Sequence, residues 1–357
     1  MRRLSRWLLT AGLVLFSASA AEAAAPADCA DEDGLSFLCG AKNVEDIVAI
    51  PGTDLAIGSS MAGFAIPGGK LILIDGRRRT AREIEPDASR KPLPAYAACP
   101  GTFDPAAFQP HGVAIGGDGQ GGHLLYVVNH GAREAIELFT LTAGKDAVSL
   151  HWAGCVMLPA GVSGNGVAPL PDGGFVATKY YDTTKGDAVQ QLMAVRPTGG
   201  AYRWSPGKGF TQLRDSTLPG LNGVEVSADG RWIFVAGWSQ DRILRYDAHR
   251  DGPPTSIALD FMPDNIRRAP DGSLLIAGQD TDPATLMGCK TPICPIGWTV
   301  ARLDPASLRV DYLLRRQDSA TFSAASGATE LAGTLWIATP RGDRIAIAPL
   351  PASQPKR

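Results

Sequence analysis

Two of the chain's five histidines stand at the two ends of one hairpin pattern. In "PHGVAIGGDGQGGHLLYVVNH", residues 110–130, His111 precedes the apolar run Val113 to Ile115. His130 follows the run Leu124 to Val128, and a Gly-rich stretch lies between the two runs. A strand, a turn and a returning strand bring those ends together, so the two imidazoles are predicted to share one edge. Imidazole titrates near neutrality, and a pair of this kind can accept, hold or pass on a proton. Side-chain oxygens recur in a phase of their own: Glu45 with Asp46, Asn165, Asn222, and Asp264 with Asn265 stand near the start of short apolar runs. Glu45, Asn165, Asn222, Asp264 and Asn265 offer two carboxylates and three amide oxygens, the hard donor set from which calcium takes roughly six to eight ligands. Zinc is disfavoured, because no cysteine and no closely spaced histidine pair joins these positions.

The elements that must position these residues repeat along the chain. Six segments share one grammar: a small or polar residue, two or three alternating apolar residues, a Gly/Asp turn and a second apolar run. They begin at Val44, Gln109, Ser163, Gly220, Met262 and Ala325. The leading positions (Asp46, His111, Asn165, Asn222, Asn265 and Gly327) are about 43 to 65 residues apart, which suits a four-stranded propeller blade with variable outer loops. Short Val/Ile/Leu/Phe/Tyr runs punctuated by 41 Gly and 27 Pro, with no sustained helical periodicity, make the chain all-β. The predicted fold is a six-bladed β-propeller. Inner strands of successive blades line one channel, so polar residues at their starts converge at one end of the axis. An Asn before Gly is by itself an ordinary turn residue. Unrelated turns, however, have no reason to fall at the same phase of successive repeats. Asp172-Gly173, Asp229-Gly230 and Asp271-Gly272 read as plain hairpin turns, and Trp232, Trp238 and Trp336 as packing between blades.

Residues 1–24 have the form of a secretory signal: Arg2, Arg3 and Arg6, an apolar stretch from Trp7 to Phe16, then "SASAAEAAA". The expected product is periplasmic or secreted, a single propeller domain over 25–350 with a tail over 351–357. No later stretch reaches the roughly 20 apolar residues of a membrane span, so no transmembrane anchor is expected in the mature chain. A formal charge of −2 and the lack of long basic runs speak against nucleic acid and for a small-molecule partner. Six cysteines in an exported chain favour disulfides. The spacing suggests Cys289–Cys294 and Cys99–Cys155, which leaves Cys29–Cys39. No Gly-x-Ser-x-Gly motif is present, which favours activated water over an acyl-enzyme.

The order and spacing of "EDI" at Glu45, "FQPHG" at His111, "VVNH" at His130, "LNG" with "DGRWIFVA" at Asn222 and "PDNI" at Asp264 resemble the paraoxonase (arylesterase) family, from Val44 to Pro349. More distantly the chain is similar to the gluconolactonase propellers. The resemblance implies a six-bladed propeller with axial calcium that hydrolyses lactones and aryl esters. It matches Glu45, Asn165, Asn222, Asp264 and Asn265 to the ligands of the catalytic calcium, and His111 and His130 to a histidine pair. His111 is then the general base for water and His130 its orienting or proton-passing partner. Asp46 and the Val113 carbonyl match a second, structural calcium site. Gly166 stands there in place of an acidic residue, so one tight ion and a weak or empty second site are expected. Lys179-Tyr180 replaces an Asp-His pair in the pocket wall, and no cysteine follows Cys294 to bridge the two termini, so ring closure must rest on strand pairing or another bridge. Two rival functions stay open: a sugar lactonase of gluconolactonase type, and a non-catalytic, calcium-stabilised binding module. The spacing does not decide whether Lys179 to Leu221 forms a lid.

Overall fold

In a computed structural model, described for residues 29–62, 69–102, 104–144, 147–291, 293–317, 319 and 321–351, 24 strands form six four-stranded antiparallel sheets. The expected leader over 1–24 and, apart from Pro351, the expected tail over 351–357 lie outside the described residues. The innermost strands are Val44–Ala49, Pro110–Gly117, Val162–Pro169, Leu221–Val226, Met262–Arg268 and Gly327–Leu331. Five blades are built from consecutive strands. The sixth is completed by Ser36–Cys39, which pairs with Arg344–Pro349 and closes the ring by strand pairing. All three suggested disulfides are present: Cys29–Cys39, Cys99–Cys155 and Cys289–Cys294.

Alternation along the strands sends one face of each sheet into an inter-blade core. Ile57, Leu73, Val113, Leu125 and Phe139 pack between the first two blades, and Trp336 packs with Val44, Ile47 and Ile74 where the sixth meets the first. Each such side chain contributes about 1.5–3 kcal/mol by leaving water. Trp232 packs against the core between the fourth and fifth blades and also lies under the guanidinium groups of Arg231 and Arg245, at 4.7 and 4.1 Å. The Asp-Gly pairs are hairpin turns: Gly173, Gly230 and Gly272 have φ of 80°, 71° and 84°, where a Cβ is strained.

Asn165-Gly166 and Asn222-Gly223 are not turns; they lie within inner strands. Their glycines let neighbouring inner strands touch. A Cβ at Gly166 would stand 2.9 Å from the Val224 nitrogen and 3.0 Å from the Asn222 carbonyl oxygen, and one at Gly223 would stand 2.5 Å from the Asp264 carbonyl oxygen. The strand register also shifts at the polar position in five blades: Val44/Asp46, Pro110/Val113, Gly164/Val167, Leu221/Val224 and Pro263/Ile266. A bulge re-aims a side chain, and these five turn theirs toward the axis. The sixth inner strand pairs without a shift and starts at Gly327.

Candidate active site

Glu45, Asn165, Asn222, Asp264 and Asn265 meet at one end of the channel, each at most 6% exposed. One oxygen of each (Glu45 Oε2, Asn165 Oδ1, Asn222 Oδ1, Asp264 Oδ1, Asn265 Oδ1) is buried without a hydrogen-bond partner. Five orphaned acceptors at one place are costly unless a cation fills them. The remaining atoms of the acidic pair are fixed: Asn265 Nδ2 donates to Glu45 Oε1 at 2.8 Å, and Gln279 Nε2 donates to Asp264 Oδ2 at 2.8 Å. Gln279 is held in turn by Trp238 Nε1, at 2.9 Å from its Oε1. Burial, and after it the Glu45 charge, pushes the Asp264 carboxyl well above the ordinary carboxylate range. Among the described residues no three His, Cys, Asp or Glu side chains gather as a metal cluster. The donor set is instead mixed, two carboxylates with three amides, and it fits a hard cation that takes neutral oxygens.

Asp46 does not join this ring. Its Oδ2 accepts from Arg267 Nη2 and from the Val113 N–H at 2.9 Å, and its Oδ1 accepts from the Ile47 N–H at 2.8 Å. Burial raises this carboxyl, and the Arg267 guanidinium opposes the rise. The resemblance-based assignment of Asp46 to a metal therefore meets a carboxylate already occupied by an arginine.

The hairpin brings the histidines together as its pattern predicts, with Pro110 opposite Asn129. His111 Nδ1 lies 2.9 Å from His130 Nε2, and His130 Nδ1 lies 2.9 and 3.0 Å from the two Glu134 oxygens. An ionised Glu134 only accepts, so His130 carries its proton on Nδ1 and its Nε2 accepts from the Nδ1–H of His111. That chain turns the His111 Nε2 toward the ring, 3.6 Å from Glu45 Oε2. Burial alone would lower the His111 pKa, but Glu45, then Asp46 and Glu134, outweigh it and raise it. Asn129 fixes the turn: its Oδ1 accepts from the Gln109 and Gly131 N–H groups at 3.0 and 2.9 Å.

The pocket over the ring holds about 70 Å³. Its walls are Met61, Tyr180, Trp238, Leu286, Met287 and Pro340. Leu286 and Met287 come from the short helix Pro283–Gly288, beside the loop stapled by Cys289–Cys294. Arg341 at the pocket edge donates to the Thr291, Leu286 and Cys289 carbonyls, which ties that loop down. Trp238 thus packs, as its sequence reading has it, and lines the pocket as well. Tyr180 lies edge-on to it, ring centres 5.4 Å apart, and burial with the Asp264 and Glu45 charges keeps its phenol protonated. Lys179 is paired with Asp182 at 2.7 Å. Lys179 to Leu221 is not a free lid: it supplies the end of one strand and the two outer strands of the third blade, with the helix Ala188–Met193 between.

Glu134, Gln279 and Leu286 were not singled out from the sequence. Glu134, four residues after His130, reads as a surface charge, and its spacing from that histidine is the only available signal. Glu134→Gln is expected to lower turnover roughly tenfold, since it removes the charge that makes the imidazole chain more basic. Without that charge His111 holds its proton less tightly, so the acidic limb of the rate profile moves to lower pH. A pH–kcat profile that kept its position would show that Glu134 only fixes the turn.

Residues 68–339 match the arylesterase family, well over half of the 357-residue chain. The chain is 25% identical over 254 residues to serum paraoxonase/arylesterase 1 of Mus musculus, an alignment over 68% of this chain and 66% of that protein, slightly under two thirds of the relative's length. Among solved structures, a gluconolactonase from Xanthomonas campestris aligns with a TM-score of 0.52 at 18% identity, covering 89% of each chain. A luciferin-regenerating enzyme aligns with a TM-score of 0.53 at 11% identity, covering 87% of this chain and 93% of that one. At such identities the two structures speak for the fold, and it is the family match, running from the first blade into the sixth, that identifies the chain as a member of the arylesterase family.

Proposed function

We propose that the protein is an exported, calcium-dependent hydrolase of carboxylic esters that acts on lactones and, as a side activity, on aryl esters. The observation that carries this reading is the meeting of the orphaned buried oxygens of Glu45, Asn165, Asn222 and Asp264 with His111 in one pocket, Asn265 being tied to them through Glu45. Glu45, Asn165, Asn222, Asp264 and Asn265 would hold the calcium, which when bound supplies a positive charge that polarises the ester carbonyl and favours the oxyanion. His111 takes a proton from water at Nε2 and gives up its Nδ1 proton to His130, whose own Nδ1 proton is held by Glu134 at the pocket's edge. Tyr180, Trp238, Leu286 and Met287 seat the acyl part and exclude water from it. These walls offer few free hydrogen-bonding groups, because the Trp238 and Gln279 donors are already spent within the protein. That supports an aliphatic or aryl group over a polyhydroxylated one.

The test is a panel of aliphatic lactones, sugar lactones and phenyl acetate, assayed with calcium and with chelator. Aliphatic lactones are expected to turn over fastest, phenyl acetate more slowly, and neither with chelator present. Preference for sugar lactones would make the protein a sugar lactonase, and inactivity on the whole panel would leave the binding module.

A further inference from the structure

The second cation that the resemblance implies has no room here. The Arg267 side chain is 4% exposed and spans the channel beneath the oxygen ring. Its Nε donates to the Ile47 carbonyl at 3.2 Å, its Nη1 to the Ile266 carbonyl at 2.7 Å, and its Nη2 to both Asp46 Oδ2 and the Val113 carbonyl. These contacts join inner strands of the first, second and fifth blades. Below the guanidinium the channel opens into a cavity of about 410 Å³ lined by residues farther along the inner strands, among them Ile50, Ile115, Pro169 and Thr329. Arg267 is therefore the floor between the pocket and the far mouth.

We propose that Arg267 is the channel's second cation, built into the chain. It satisfies Asp46 and the Val113 carbonyl, the two groups left open to a second ion, and makes the protein one that takes a single ion. Asp46 and Arg267 cancel in charge, which leaves Glu45 and Asp264 as the formal −2 facing one divalent ion. A tethered guanidinium does not dissociate, so this end of the channel holds when a chelator is present. A planar fork with five N–H donors can bind several carbonyls and a carboxylate at once, which an ammonium group cannot reproduce. The single ion is that of the proposed calcium site in the ring above, whereas the Arg267 contacts do not depend on that ion.

The first test needs no variant: metal content and equilibrium dialysis of the wild-type protein against calcium should give one tight ion per chain, and two tight ions would overturn the proposal. In Arg267→Met, Asp46 and the Val113 carbonyl become available. Calcium stoichiometry should rise by one, and the melting temperature without calcium should fall by roughly 5–15 °C, because a buried carboxylate has lost its partner. Calcium in the millimolar range should restore much of that loss. An Arg267→Met protein that gains no ion, and whose melting temperature calcium raises no more than it raises the wild type's, overturns the proposal. If the single variant yields no soluble protein, Asp46→Asn combined with Arg267→Met removes both charges and should recover most of the stability with no added ion. Failure of that recovery also counts against the charge-pair role. No ion in the wild type with one in Arg267→Met would support Arg267 while removing the calcium reading of the ring.

Discussion

His111→Gln lowers kcat on lactones by about 10²–10⁴-fold, the usual worth of a positioned proton acceptor, while melting temperature and calcium affinity stay near their wild-type values. Glutamine is close to histidine in volume and its amide can keep a hydrogen bond to His130, so the hairpin loses no packing. The side chain is not among the five orphaned oxygens, and its removal takes no ligand from the ring. What is lost is the Nε2 lone pair held toward the pocket by the Glu134–His130 chain. The residual rate should no longer show the acidic limb that belongs to imidazole titration. Full turnover by His111→Gln, measured under saturating substrate, would mean that another group activates the water.

Withdrawing calcium is expected to abolish turnover and to lower the melting temperature by roughly 6 °C, the scale set by an ion present at about a thousand times its Kd. Two buried carboxylates are then left facing each other without a countercharge, and their environment sets the sign of the pH response. Asp264 and His111 both have raised pKa values in the ion-free protein. A raised group binds protons more readily folded than unfolded, so its contribution to stability is full below the unfolded value and is lost as pH rises through the folded one. The chelated protein should therefore become more stable on acidification from neutral pH toward the ordinary carboxylate range near 4, whereas the loaded protein should not. Asn265→Ala is expected to reproduce part of this state, because it removes a ring oxygen and the donor that orients Glu45. Its calcium affinity and activity should fall together, which is the opposite of the His111→Gln pattern. Unchanged activity after exhaustive chelation, with metal content verified, would remove calcium from the reaction.

The ring was legible because polar residues recur at the same phase of five of the six repeats, and phase is something a linear sequence carries. The same is true of the histidine pair, which depends only on the ends of one hairpin meeting, and of the two short-range disulfides; Cys99–Cys155 instead ties the segment before the second blade to that blade's outermost strand. Arg267 was not legible: in "NIRRAPDG" it looks like any charge near a strand end, and only the closure of six blades places it across the channel from Asp46 and Val113. Gln279 and Trp238 are far from the ring in sequence and reach it only because second strands lie behind the first. Leu286 and Met287 sit on a six-residue helix, too short for an apolar period to be read. The inner Asn-Gly pairs look like turns because local preference favours turns. Their true role, allowing backbones to touch, belongs to tertiary structure.

The strand Ser36–Cys39 is synthesised before every other described strand, and its partner Arg344–Pro349 after every other. Five sheets can form in order as the nascent chain lengthens, yet the sixth waits for residues about three hundred positions apart to meet, and loop closure of that length is slow even though its entropy grows only logarithmically. Until then the chain carries an open sheet edge at each end of the array, the kind of edge that recruits other chains. The ring's vulnerable moment is thus set by synthesis, before any substrate is present. The seam itself is a property of strand order, the first described strand sharing a sheet with the last; a circular permutant cut in an outer loop would have the same six sheets with its late-closing edge in another blade.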